Sequence, residues 1–131
     1  MKSHAIRLTK GMDLKEEIER YAKDNNIQAG CILSAVGCLT NLTLRTAGAK
    51  SVETIEDDFE IVSATGTISK DGCHIHISVS DDRMQTYGGH LKNGCIVNTT
   101  VELVLLELEE YSFSREMDGN TNYKELVIRR K

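Results

Sequence analysis

Residues 94–113, GCIVNTTVELVLLELEEYSF, restrict the possible folds of this chain more than any other segment. Successive side chains of a β-strand point to opposite faces of a sheet, and this segment is apolar on both faces. One face carries Val101, Leu103 and Leu105, and the other carries Val104, Leu106 and Leu108. A strand of this kind lies in the middle of a sheet and is covered on both sides. We expect a helix to provide one cover, and a second subunit is a candidate for the other.

The segment MDLKEEIERYAKDNNI is the clearest helix in the chain. Asp13 is a good N-cap residue, and Glu16 follows three positions later, as in a capping box. Apolar residues recur at helical spacing and form one stripe, which consists of Leu14, Ile18, Tyr21 and Ala22. This pattern predicts a surface helix that packs on a sheet and has no role in ligand binding.

The rest of the chain is typical of β-strands. Alternating or apolar segments are separated by turn signals such as KDG, and YKELVIRRK predicts a C-terminal strand over residues 123–130. With a single helix among about seven strands, the sequence indicates an α+β fold. We predict a single compact domain over residues 1–131, built on a mostly antiparallel sheet with one main flanking helix.

Composition and charge exclude several classes of function. The net charge is −4, the only basic cluster is IRRK, and direct DNA binding through phosphates is therefore disfavoured unless an oligomer gathers positive charge. There is no apolar run long enough to span a membrane and no hydrophobic leader. The four cysteines have no metal-site spacing, so we expect buried, reduced thiols in a cytoplasmic protein.

The segment GCHIHISVSDDRMQTYGGHL, residues 72–91, contains three of the four histidines. His74 and His76 share one face of a strand, with backbones roughly 6–7 Å apart, and the turn that follows can return His90 beside them. Three imidazoles with an open fourth position suit zinc, and imidazole also suits copper, iron or nickel. The alternative is an ordinary water-facing strand, with His90 bonded to a local carbonyl. The sequence leaves both open.

Three further positions bear on this site. Gly88 and Gly89 lack side chains, so a backbone or a ligand can approach them closely. Glu102 lies within the apolar run TTVELVLLEL, where it could orient a ligating histidine or act as a general base. The alternative is a glutamate that faces water. His4 is expected to be an incidental surface residue of the first strand.

Four motifs in this order, IRLTKGMDLKEEIERYAKDNNIQAGCILSAVGCL, FEIVSATGTIS, HIHISVSD and YGGHLKNGCIVNTTVEL, resemble the PPC domain, which is named for plants and prokaryotes. The likeness covers about residues 6–108, and its most specific part is the H-x-H pair followed by G-G-H-L. It implies a compact domain with a mostly antiparallel sheet and a flanking helix, assembled as a homotrimer. A homotrimer agrees with a strand that is apolar on both faces.

Plant members of this family join the domain to an AT-hook, a basic segment that enters the DNA minor groove. The present sequence contains no proline and no R-G-R-P core, so that means of DNA binding is missing from it. Plant members also carry a partner-binding segment, G-R-F-E-I-L, which stands here as DDFEIV at residues 57–62. Because its first two positions differ, binding of the same partners does not carry over, although protein partners are possible.

The leading hypothesis is a stand-alone prokaryotic PPC-domain protein that acts as a homotrimeric binding or assembly module. In this hypothesis His74, His76 and His90 hold a transition metal, zinc before others, or a small ligand, and no catalysis is required. One alternative is a DNA-associated regulatory protein. The other is a metal-dependent enzyme of unknown substrate, in which Glu102 assists a metal-bound water.

Overall fold

The protein is described from a computed structural model that covers residues 1–131. Its elements are β1 (Lys2–Thr9), α1 (Leu14–Asp24), β2 (Ala29–Arg45), β3 (Val52–Ser69), β4 (Gly72–Ser80), β5 (Thr86–Leu91), β6 (Ile96–Glu107), β7 (Tyr111–Asp118) and β8 (Tyr123–Arg130). Every strand pair is antiparallel. The predicted α+β class, with one helix on a mostly antiparallel sheet, is confirmed. No helix has the length and apolar character needed to cross a membrane.

Six of the strands form one strongly curved sheet in the order β1-β6-β2-β3-β4-β5. The 17-residue strand β2 is long enough to pair with β6 and β3 and then, at its end, with β5. That last pairing places Leu44 opposite Leu91 and Arg45 opposite His90. The sheet therefore curls until the end of β2 lies beside the strand that carries the third histidine. Strands β7 and β8 form a separate hairpin.

Strand β6 lies between β1 and β2, in the middle of the sheet as its sequence predicts. On one face Val101, Leu103 and Leu105 are fully buried in the main core together with the apolar stripe of α1. On the other face Val104 and Leu106 are only partly buried. One cover of this strand is thus present within the chain, and the second face is left half open.

Asp13 caps α1 and also attaches it to the sheet. Its Oδ1 accepts a hydrogen bond from the backbone N–H of Glu16 at 3.0 Å, which confirms the predicted cap. Its Oδ2 accepts from the backbone N–H of Gly94 at 2.6 Å, just before β6. The carboxylate of Glu16 pairs with Arg20 at 2.8 Å instead of returning to the cap, so the capping box is only half formed.

His4 is buried, and the expectation of a surface residue was wrong. Its Nδ1 lies 2.9 Å from the Tyr21 hydroxyl on α1, and its Nε2 lies 2.8 Å from a carboxylate oxygen of Glu107 on β6. His4 precedes Ile6 and Leu8 by two and four residues, so strand alternation puts all three on the same inward face. The ring is accommodated in the core because both of its nitrogens have partners.

We predict that Asp13→Ala lowers the free energy of unfolding by about 2 kcal/mol, because it removes both the helix cap and the bond to the N–H of Gly94. Asp13→Asn keeps one acceptor oxygen and should lose about half as much. Urea unfolding followed by circular dichroism measures both values. Equal stability of Asp13→Ala and the wild-type protein would show that the attachment of α1 does not depend on this carboxylate.

Candidate metal centre

Strands β4 and β5 bring the three predicted histidines together on one face of the sheet. His76 is directly opposite His90 in the β4–β5 register, and His74 is two residues earlier on the same side of β4. The Nε2 atoms of His74 and His76 are 3.3 Å apart, and one ring nitrogen from each of the three histidines lies within 4.8 Å of the others. The strand register thus brings the three imidazoles into one compact group, with His90 contributed by the neighbouring strand.

The donor set and its spacing fit a transition metal. Two imidazole nitrogens bound tetrahedrally to one zinc ion at about 2.0–2.1 Å are themselves separated by roughly 3.3–3.4 Å. The 3.3 Å between the Nε2 atoms of His74 and His76 agrees with that separation. Imidazole nitrogen is a ligand for zinc, copper, iron or nickel, whereas calcium and magnesium prefer oxygen.

The surroundings favour the neutral form of the His74 and His90 imidazoles, which is the form that binds a metal. Burial, followed by the positive charge of Arg45, lowers the pKa of His90 to about 4. An Nη2 atom of Arg45 lies 3.5 Å from Nδ1 of His90. Burial also lowers the pKa of His74, with a further contribution from the guanidinium of Arg115. Near neutral pH, protons therefore compete weakly for both rings.

A family model described as the Plants and Prokaryotes Conserved (PCC) domain matches residues 1–109. The chain belongs to this family. This is the same family as the PPC domain that the sequence motifs resemble, so the predicted membership is confirmed. The match contains β1 to β6, and with them all three histidines of the candidate centre.

Similar proteins include a curated relative and two solved structures. Bifunctional protein GlmU of a Synechococcus strain is 45% identical over 128 residues, which are 98% of this chain and 20% of that protein. A hypothetical protein from Salmonella is 35% identical, with a TM-score of 0.95 and coverage of 99% and 94%. A metal-containing protein from Archaeoglobus fulgidus is 28% identical, with a TM-score of 0.77 and coverage of 97% and 94%. The PPC chain spans about one-fifth of the length of the curated relative.

Gly88 and Gly89 of this PPC domain allow β5 to approach its neighbouring strands closely. A Cβ atom on Gly89 would lie 2.9 Å from the carbonyl oxygen of Arg45, and one on Gly88 would lie 3.0 Å from that of Ile77. Neither distance leaves ordinary room for a methyl group. The glycines therefore serve the contacts of β5 with β2 and β4, which place His90 beside Arg45.

Glu102 does not join the histidines, and its predicted role at the site was wrong. It is exposed on β6, opposite Arg7 of β1 and Val36 of β2. Strands β2 and β3 lie between β6 and the histidine strand β4. The Glu102 side chain faces water, as the alternative prediction for this residue states. The apolar run made the residue look buried because only its neighbours face the core.

Cys73 precedes His74 but faces the other side of β4. Burial, followed by the carboxylate of Glu19, raises the pKa of its thiol to about 12. A thiol with this pKa stays protonated near neutral pH and is a poor nucleophile, and its direction keeps it away from the three histidines. This agrees with the alternation predicted for CHIHISVS.

Two arginines that no sequence motif indicates flank the histidines. Arg45 comes from the end of β2, and Arg115 comes from β7, where its Nη2 donates to Thr67 Oγ1 at 3.1 Å. Arg45 precedes His90 by 45 residues in the sequence, and Arg115 follows His74 by 41 residues. Only the curl of the sheet and the position of the hairpin bring them to the centre.

In the metal-free protein, we predict that His90 titrates near pH 4 and that Arg45→Gln moves this midpoint upward, because a positive charge that disfavours imidazolium is removed. The folded pKa lies below the unfolded value near 6.5, so this histidine reduces stability only as the pH falls below about 6.5. Long-range ¹H–¹⁵N spectra of the imidazoles measure the midpoints. Arg20→Gln on the helix surface is the control, and an unchanged midpoint in Arg45→Gln would contradict the prediction.

Proposed function

We propose that this PPC-domain protein is a metal-binding module in which His74, His76 and His90 hold one transition metal ion, zinc before others. The observation that carries this proposal is the meeting of three imidazoles from adjacent strands at a spacing suited to one ion. The similar protein from Archaeoglobus fulgidus, described as metal-containing, supports it. A bound ion would supply an open coordination position for a small ligand, and no reaction is required.

We also propose that the module assembles as a homotrimer, as the family resemblance implies. Three large apolar side chains near the middle of the outer sheet face, Leu33, Val36 and Val62, are each more than half exposed. They lie where the pairing of β2 with β3 is interrupted, between the pairs Cys31–Thr67 and Cys38–Glu60. Partner chains that pack here would remove apolar surface from water and complete the cover of β6.

A metal-dependent enzyme is the second candidate, and one observation favours it. The carboxylate of Glu125, on β8, lines the cleft beside His74, where a general base would be needed. It would replace Glu102, which lies on another part of the sheet. The DNA-associated alternative receives less support, because each chain carries a net charge of −4.

We predict that the purified, untagged protein retains close to one zinc or other transition metal ion per chain and that His76→Ala loses it, because two imidazoles form a much weaker site. Ser78→Ala is the matched control, since Ser78 is the next residue on the same face of β4. Mass spectrometry of the metals measures the content. Absence of metal from the wild-type protein after reloading and dialysis would contradict the proposal.

For the homotrimer, light scattering coupled to size exclusion should give a mass of about 44 kDa, three times the 14.6 kDa of one chain. Leu33→Glu should shift the mass toward that of one chain, because a buried charge in the interface is costly. Met84→Glu, a change at another exposed apolar side chain on the turn after β4, should leave the mass unchanged. A monomeric wild-type protein would refute the trimer without affecting the metal centre.

A further inference from the structure

A cleft of about 560 Å³ adjoins the histidines. His74 and His90 form part of one wall, Arg45 and Arg115 flank them, and residues 123–125 of the β7–β8 hairpin line the opposite part. The volume lies within the range of small-molecule sites. Few of its lining residues are apolar, so the occupant is expected to be small and polar.

Arg45 lacks partners for its charge. Its Nε atom is buried and has no hydrogen-bond partner. Its Nη2 atom reaches only Nδ1 of His90, at 3.5 Å, the outer limit of a hydrogen bond. A buried donor without an acceptor costs free energy that a ligand oxygen would recover.

Metal binding would leave the Arg45 side chain with still fewer hydrogen-bond acceptors. If Nε2 of His90 ligates a metal, the neutral ring carries its proton on Nδ1. The Nδ1 atom then no longer accepts from Arg45. The guanidinium would be left with no acceptor on either of these nitrogens, next to an ion that is itself positive.

The carboxylates around the cleft do not compensate the two guanidinium groups. Neither Arg45 nor Arg115 belongs to any of the six ion pairs in the structure. Glu19 pairs with Lys15 at 2.9 Å and accepts from the backbone N–H of Cys73. Asp71 accepts from the backbone N–H of Arg115, not from its side chain. Glu19 and Asp71 are thus engaged with other partners, and Glu125 forms no ion pair with either guanidinium group, so both guanidinium groups remain available.

The balance of charge indicates an anionic occupant. Four cationic side chains line the cleft, which are Lys15, Arg45, Arg115 and Lys124. Three carboxylates line it as well, which are Glu19, Asp71 and Glu125. The side chains leave a surplus of one positive charge, and a bound divalent metal ion would raise that surplus to three, so an anion is favoured. The planar fork of a guanidinium also matches the two oxygens of a carboxylate.

We infer that this cleft binds a small carboxylate, held by the guanidinium groups of Arg45 and Arg115 beside the histidine centre. This inference rests on the proposed metal centre and adds the chemical class of its ligand.

The experiment uses the full chain loaded with cobalt(II), whose visible spectrum reports its ligands. Acetate is the probe, and acetamide, which has the same shape and no charge, is the neutral control. Acetate should change the spectrum saturably and acetamide should not. Arg45→Gln and Arg115→Gln should each raise the Kd for acetate by about tenfold or more, because each loses a charged hydrogen bond. Arg20→Gln, on the surface of α1, should bind as the wild type does.

Three results would overturn the inference while the metal centre stands. They are a loaded protein whose spectrum acetate leaves unchanged, arginine variants that both bind acetate normally, and tighter binding of inorganic phosphate than of acetate. Failure to retain cobalt would instead contradict the proposed metal centre. In that case, acetate is titrated into the metal-free protein while the ¹⁵N NMR signal of the Arg45 Nε–H group is followed. A saturable shift of that signal would support the anion site, and an unchanged signal would contradict it.

Discussion

The candidate site depends on the pairing of the end of β2 with β5. Without it, β5 would pair only with β4, and Arg45 would be separated from His90. A strand of 17 residues can make this contact because the sheet curves, and the bulges along β2 allow it to change direction. Gly89 completes the contact, since any larger residue would meet the carbonyl of Arg45. One backbone pairing thus brings a charged side chain from an interior strand to the imidazoles at the edge of the sheet.

The fold class could be predicted because the local patterns are strong. The alternation of CHIHISVS, the cap at Asp13 and the apolar run of β6 each report a short-range property, and each agrees with the structure. The same alternation places His74 and His76 side by side. The proximity of His90 required a returning strand, which the turn residues and the paired glycines indicate.

The remaining features depend on register and on long-range contacts, which a single sequence does not specify. Glu102 looked buried because its neighbours are apolar, yet its own direction on β6 is outward. His4 looked exposed because it is polar, although it shares the inward face of β1 and is bonded to Tyr21 and Glu107. Arg45 and Arg115 carry no motif, and their positions follow only from the curvature of the sheet and the placement of the hairpin.

The cleft and the histidines are built from two separate parts of the chain, the β7–β8 hairpin and the six-stranded sheet. The hairpin forms its own two-stranded sheet and is attached to the larger one through a few bonds, among them those of Asp71 and Thr67 with Arg115. The histidines lie on β4 and β5, whereas one wall of the cleft comes from the hairpin, beyond the end of the family match at residue 109. Substitutions in the hairpin can therefore reshape the cleft without touching the strands that align the imidazoles. The histidine group on the sheet and the cleft wall on the hairpin can therefore change independently within one small domain.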